Sequence, residues 1–243
     1  KAWMIYYPIE KFFCRLTSTL ITINREDRDL AKRRFKVDTE YIHGVGVDAS
    51  RYIPERPDDK LRRELGVVGR RVILNIGELL PNKGQRFAIE AMSEVVRRHK
   101  NALLVIAGNG PERNALEAQV NETDLTDSVR FIGYCTCLEK WQRAAEMLVA
   151  CSRREGLPLN VVETMLSGNP AVVSDNRGHR ELVDDGVTGF IVPHGDSVAI
   201  ADRLCRLLDD GDLRTRMGDA ALSKGLLYSA ENVEKELEHI YFQ

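Results

Sequence analysis

The sequence predicts an α/β protein built on a doubly wound parallel sheet. Three observations carry that expectation. The first is a series of six short apolar runs, R-V-I-L-N-I-G, A-L-L-V-I-A-G, V-R-F-I-G, M-L-V-A-C, A-V-V-S-D and G-F-I-V-P, each too brief for a helix and apolar enough to be covered on both faces. The second is that helical-period segments separate them, as right-handed crossovers between parallel strands require. The third is that glycine-bearing loops follow the first two runs, at N-I-G-E-L-L-P-N-K-G and A-G-N-G-P.

Composition bounds the rest. A chain of 243 residues holds one large or two small domains, and 43% apolar residues suffice for a core. Basic and acidic residues number 35 and 37, so no global field recruits nucleic acid. The five cysteines, Cys14, Cys135, Cys137, Cys151 and Cys205, are scattered, and Cys135-Thr-Cys137 lacks the two-residue spacer of zinc or redox pairs. They are expected to be reduced thiols. With neither a signal peptide nor an apolar run of about eighteen residues in view, the expected location is cytoplasmic.

Taken in order, the opening K-A-W-M-I-Y-Y-P-I-E-K-F-F has large aromatics that are costly to leave exposed, and it reads as the middle of a longer chain. I-E-K-F-F-C-R-L is helix-like, T-L-I-T-I-N has a buried-strand pattern, and R-E-D-R-D-L-A-K-R-R-F is a charged amphipathic helix. T-E-Y-I-H-G-V-G-V-D is a strand ending in glycines. From about Asp58 a second unit starts with the short helix D-D-K-L-R-R-E-L-G and its glycine stop. After the first long apolar run comes a helix whose apolar face is formed by Phe87, Ile89, Ala91, Met92, Val95 and Val96. The strand and helix alternation then repeats, and three helices follow from about Ser197. Asp27-x-Asp29 lies in a charged helix and Asp210-x-Asp212 in a helix-to-helix turn, so both are expected on solvated faces and caps, not at a metal. Gly108-x-Gly110 has Arg113 where a dinucleotide fingerprint needs a third glycine, so it is expected to be a simple turn.

The chain is organised around Glu155 to Asp175, E-G-L-P-L-N-V-V-E-T-M-L-S-G-N-P-A-V-V-S-D. A helix is expected from about Pro158 to Ser167, with proline at a first helical position and Gly168 as its stop. A helix opening at the carboxyl end of a parallel strand turns free N–H groups and a positive dipole end into the crevice where such sheets bind ligands. Carboxylates beside an anion site make sense for a ligand that carries both phosphate and hydroxyls, as a nucleotide sugar does.

Glu155-x7-Glu163, the intervening Gly156, Leu157 and Pro158, the following S-G-N-P-A-V-V-S-D and the later D-G-V-T-G-F-I-V-P resemble the donor half of retaining glycosyltransferases of the GT-B fold, family 4. R-R-E-G-L-P, N-R-G-H-R-E-L and I-H-G-V-G-V-D are most similar to the capsular or exopolysaccharide biosynthesis members. The resemblance implies that residues 1–57 are the end of an acceptor-binding domain and its linker, 58–225 the donor-binding domain, and 226–243 a helix crossing back to the first domain. It implies Lys83 near the donor phosphates and Glu155 facing the donor sugar or its phosphates, as the catalytic pair. The donor-binding set it implies is Glu78, Gly156, Leu157, Pro158, Asn160, Glu163, Ile132, Tyr134 and Arg153. Glu163 would accept from the ribose hydroxyls, backbone amides from Gly156 to Asn160 would hold phosphate, and the base would lie near Phe131 to Tyr134. Phe131 and Ile132 are equally well read as core. Glu78 is a departure, because many relatives carry an arginine five residues before the lysine.

The implied activity is transfer of a sugar, with retention and without metal or cofactor, from a nucleotide-diphosphate donor, UDP above others, to a growing or lipid-linked polysaccharide. A GT-B epimerase and a non-catalytic nucleotide-sugar-binding module are the alternatives. The chain by itself is expected to be inactive for want of most of an acceptor domain. Its aromatic opening, with Trp3, Ile5, Tyr6, Tyr7, Phe12 and Phe13 beside Lys1 and Lys11, is expected to pack against the C-terminal helix, with peripheral contact at the inner membrane face as the other choice.

One outcome is expected from sequence alone. Calorimetry should show UDP binding to the chain in the presence of EDTA, and a requirement for magnesium or manganese would contradict the metal-free expectation.

Overall fold

Short β-branched and apolar runs become strands where both faces can be covered, and here they form two separate parallel sheets. The computed structural model describes residues 2–52, 54–55 and 57–242, with side chains from residue 6 onward. Contacts divide the chain into two units, residues 1–46 with 227–243, and residues 47–226.

In the first unit, helix α1 (Ala2–Phe13) precedes strand β1 (Thr19–Thr22), helix α2 (Arg25–Arg34) and strand β2 (Asp38–Tyr41). β1 pairs in parallel with β2, Thr19 opposite Asp38. Asn24 starts α2 by accepting from the Asp27 N–H at 2.7 Å, and its own amide donates to the Asp27 carboxylate at 2.8 Å, so Asp27 is spent on a helix end. His43 follows β2 and is held by Glu236 of the C-terminal helix Ala230–Tyr241, which accepts from its main-chain N–H at 2.8 Å and lies 2.5 Å from its Nδ1. Along α1, Tyr7 packs on Phe35, while Tyr6, Ile9, Phe12 and Phe13 stay exposed. The Lys1, Trp3 and Ile5 side chains lie outside the described residues. Among the described residues no helix is long and apolar enough to cross a membrane.

The second unit runs α3 (Asp59–Glu64), β3 (Arg71–Ile76), α4 (Gln85–Arg98), β4 (Ala102–Ala107), α5 (Arg113–Glu122), β5 (Val129–Gly133) and α6 (Leu138–Ala144). It continues with β6 (Met147–Ala150), α7 (Leu159–Leu166), β7 (Ala171–Ser174), α8 (Arg177–Leu182), β8 (Gly189–Val192), α9 (Ser197–Asp209) and α10 (Gly211–Gly225). Its six strands are all parallel, in the order β5-β4-β3-β6-β7-β8. The chain leaves β3 in one direction to β4 and β5, returns to β6 beside β3, and continues in the other. That reversal places the topological switch point between β3 and β6.

Strand residues alternate between two covered faces. Ile73, Leu104, Ile106, Met147 and Val149 join the core shared with α4, α5 and α9, while Val72, Leu74, Leu103, Val105 and Leu148 are buried on the other side. On α4 the buried face is Gln85, Ala88, Ile89, Ala91, Met92 and Val95, with Phe87 and Val96 only half-buried. Gln85 escapes apolar patterning because its side chain is polar, yet it is 2% exposed, and its amide donates to the Glu78 carbonyl at 3.0 Å.

The helix expected from Pro158 begins instead at Leu159 and ends at Leu166. Pro158 has ψ 105, so it stands outside the helix as its cap, and its carbonyl receives the Val161 N–H at 3.1 Å. Gly168 has φ 71 and terminates the turn, as its sequence position suggests. Asp210 caps α10 by accepting from Leu213 N–H at 2.8 Å.

The Gly108-x-Gly110 turn does more than reverse the chain. A Cβ on Gly108 would lie 2.0 Å from the Gly77 carbonyl oxygen, and one on Gly110 2.4 Å from that of Leu79. The loops after β3 and β4 can therefore keep pairing past the strand ends, through Gly77 N–H to Ala107 and Leu79 N–H to Asn109, both 2.9 Å. Gly108→Ala is expected to destabilise the chain by roughly 3 kcal/mol, the upper range of overpacking. Gly69→Ala, at φ 72 with nothing within 4 Å, bears only the left-handed backbone cost of about 1–2 kcal/mol. Denaturant midpoints at unchanged slope check this order, and equal losses at the two positions would refute the close-approach argument.

Candidate functional site

The loops leaving β3 and β6 meet at the switch point. Pro81–Lys83 form a single 3₁₀ turn, and Gly84 then takes φ 65. A Cβ there would come within 2.6 Å of the Cys151 carbonyl oxygen at the end of β6, so only glycine lets the first loop pass so close to the second. The two loops are also laced by hydrogen bonds. Arg153 N–H donates to the Asn82 carbonyl at 2.8 Å, and the Asn82 amide donates to the Arg154 carbonyl at 3.3 Å. From the other side, α8 presses Gly178 against Glu155, where a Cβ would lie 2.9 Å from the Glu155 Cβ and from the Gly156 carbonyl oxygen.

This lacing brings Lys83 and Glu155 together. Lys83 Nζ donates to Glu155 Oε1 at 2.6 Å. The floor beneath them is a buried polar network: Ser174 Oγ and the Asn176 amide both donate to the Ser152 carbonyl, at 2.5 and 2.9 Å. His179 is wholly buried, with its Nδ1 2.6 Å from the Ser174 carbonyl oxygen and 2.8 Å from the Asn176 amide nitrogen, while Nε2 has no partner among the described residues. Burial holds the imidazole pKa below its ordinary value, so the ring is neutral under the pair.

α7 starts beside this pair. Asn160 uses its amide to fasten the helix to the sheet, donating to the Ile76 carbonyl at 2.7 Å and accepting from Val161 N–H at 3.0 Å. Gly156 has nothing within 4 Å of a built Cβ, Leu157 is half-buried and Pro158 is buried. Glu163, just over one turn into α7, has different surroundings. Its partner is Tyr52, whose buried hydroxyl hydrogen-bonds the carboxylate, with Arg51 and Glu139 nearby. Burial raises the Glu163 carboxyl pKa above the ordinary 4.5, and the hydrogen bond from Tyr52 opposes that rise. Burial, together with the Glu163 charge, raises the Tyr52 phenol as well. Sequence reasoning missed Tyr52, since R-Y-I-P carries no spacing that ties it to α7.

The remaining predicted residues are more dispersed. Phe131 packs on the core and lies under the Arg113 guanidinium at 4.5 Å, Ile132 is half-buried, and Tyr134 is 80% exposed. Gly133, at φ 67, offers its carbonyl to Gly108 N–H at 2.7 Å, which ties the β5 edge to the same loop layer. Glu78 and Arg153 are exposed at the loop surfaces. Chemically, the crevice offers an ammonium beside a carboxylate, with the Arg177 guanidinium donating to the Glu155 carbonyl at 3.4 Å, the opening turn of a helix, and a second carboxylate held by a phenol.

Residues 57–224 match the family described as glycosyl transferases group 1. The chain is 36% identical, over 99% of its length, to EpsD of Bacillus subtilis (strain 168), named as a glycosyltransferase, and 31% identical, over 96%, to the alpha-D-kanosaminyltransferase of Streptomyces kanamyceticus. It spans 65% and 62% of those two proteins. In fold it is similar to the Anabaena protein Alr3699/HepE, solved in complex with UDP, with a TM-score of 0.85 at 22% identity over 94% of this chain and 65% of that one.

The Glu163 environment has a pH signature. With the folded pKa raised, the folded chain holds that proton more tightly, so its stabilising contribution is present below the ordinary value and is lost as pH rises through the folded one. Glu163→Gln, neutral throughout, is expected to melt at a higher temperature than the unmutated chain near pH 8, with the difference shrinking towards pH about 4. A Gln variant that melts lower at pH 8 would contradict this account.

Proposed function

The chain belongs to the group 1 glycosyl transferases, and on that premise we infer that it forms the nucleotide-sugar site of a retaining, metal-independent enzyme. The donor is a nucleoside-diphosphate sugar, UDP-linked, and the acceptor is a growing or lipid-linked polysaccharide of the capsular or exopolysaccharide kind. The observation that carries the reading is the convergence of Lys83, Glu155 and the start of α7 at the β3/β6 switch point, with Glu163 further along the same helix. The complex of the similar fold with UDP supports the choice of base.

Each group has a task set by its chemistry. In the transfer, the bond between the sugar's anomeric carbon and the β-phosphate oxygen breaks, a bond to an acceptor hydroxyl oxygen forms on the same face, and the hydroxyl's proton passes to the departing diphosphate. Negative charge develops on the departing diphosphate. Lys83 and the N–H groups of Gly156, Leu157, Leu159 and Asn160 stabilise that charge, and Arg153 adds to the local positive field. Glu155 accepts hydroxyls of the donor sugar and orients it. Glu163 accepts from both ribose hydroxyls, its direction held by Tyr52. Ile132 and Tyr134 border the base, and Glu78, Leu157 and Pro158 line the loops around the donor.

The ribose assignment is tested by truncation. Glu163→Ala is expected to weaken UDP binding by roughly 1.5–3 kcal/mol, the range for hydrogen bonds to a charged group. The same substitution should leave 2′,3′-dideoxy-UDP binding nearly unchanged. Calorimetry with the two nucleotides reads the difference, and equal losses for both would remove Glu163 from the ribose.

A further inference from the structure

Donor binding asks Lys83 and Glu155 to serve different parts of one ligand, yet in this structure each is the other's partner. Lys83 Nζ lies 2.6 Å from Glu155 Oε1, and the side chains are only 29% and 14% exposed. Exposed pairs of long side chains are weak because both must be ordered first. Here the ordering is already built into the backbone. Gly84 is pressed to the Cys151 carbonyl, Arg153 N–H is bonded to the Asn82 carbonyl at 2.8 Å, and Gly178 backs the Glu155 Cβ. The two loops therefore deliver the ammonium and the carboxylate to the same place.

A phosphate oxygen that takes the Lys83 ammonium must leave Glu155 without its cation in a partly desolvated position. Breaking such a pair from one side costs more than the pair contributes, because an uncompensated charge remains. A bare nucleoside diphosphate incurs that cost in full. A diphosphate that also carries a sugar brings hydroxyl donors, and the freed carboxylate can accept them.

We propose that the Lys83–Glu155 pair is a specificity device by which the site favours the sugar-bearing nucleotide over the bare nucleoside diphosphate. The proposal rests on the nucleotide-sugar reading above and adds a direction to it. Glu155 opposes binding of the diphosphate alone and supports binding of the intact donor. Once the sugar has left, Lys83 and Glu155 re-form their contact at the expense of the product diphosphate.

The test is calorimetry on the full chain, comparing the unmutated form with Glu155→Gln, Lys83→Ala and the double variant. The ligands are UDP and whichever of UDP-glucose, UDP-galactose and UDP-N-acetylglucosamine binds the unmutated chain most tightly. Glu155→Gln is expected to bind UDP about tenfold more tightly, equivalent to 1.4 kcal/mol, and the sugar nucleotide more weakly. In the Lys83→Ala background the same Gln substitution should change UDP affinity by less than about twofold, since no competition for the ammonium is left to relieve. Glu155→Ala, measured alongside, gives the same readout if Gln disturbs the loop. Unchanged or weaker UDP binding by both Glu155 variants overturns the proposal. So does a full tenfold gain that persists without Lys83, which would mark plain charge repulsion. An unmutated chain that binds neither UDP nor any of the three sugars overturns the nucleotide-sugar reading itself, a result distinct from either of these.

Discussion

The close approach of backbone to backbone at the carboxyl end of the sheet is the constraint on which the site depends. The loops after β3 and β4 are stitched to each other and to the end of β5 by main-chain hydrogen bonds that continue beyond the strands, and the β6 loop is drawn into the same layer by Asn82 and Gly84. Side chains would forbid this. At Gly108 against the Gly77 carbonyl, and at Gly84 against that of Cys151, there is room for a hydrogen atom and not for a methyl group. Because the loops are so tightly held, the positions of Lys83 and Glu155 follow from the backbone, with little left to side-chain freedom.

The two glutamates of the central stretch look equivalent in sequence and are not equivalent in the fold. Glu155 sits on a loop against a cation, and Glu163 sits on a helix face against a phenol, where burial favours its protonated form. Environment alone separates two identical carboxyl groups, which is how one stretch of chain can present one group suited to a sugar beside a diphosphate and another suited to a diol. His179 belongs to the same design from below. The Asn176 and Ser174 side chains satisfy the Ser152 carbonyl ahead of Glu155, and its own neutral ring bonds the Ser174 carbonyl at the end of β7, so the floor of the crevice is a buried polar network.

Much of this was legible in the residues. Apolar runs mark all six strands of the large sheet, since a strand covered on both faces has little choice of residue. The capping residues Asn24, Asp58 and Asp210 announce helix starts by chemistry that is local in sequence. Pro158 misleads by one residue because proline suits both the cap and the first helical position, and only its observed ψ separates them. Gln85 and Tyr52 are harder. Both are polar groups buried by partners remote in sequence, and no periodicity reports a contact between chain segments that are not neighbours.

By itself the sequence determined the fold class, the order of strands and helices, and the stretch in which carboxylates, glycine and proline gather at a helix start. These follow from short-range physics: side-chain period, φ preference and capping geometry act within a few residues. What only the tertiary structure decided is which of those residues face one another. The reversal of strand order between β3 and β6 sets two distant loops side by side, couples Lys83 to Glu155, and hands Glu163 to Tyr52. Such pairings depend on crossover topology and on where glycine permits backbones to touch, and neither is written at any single position of the chain.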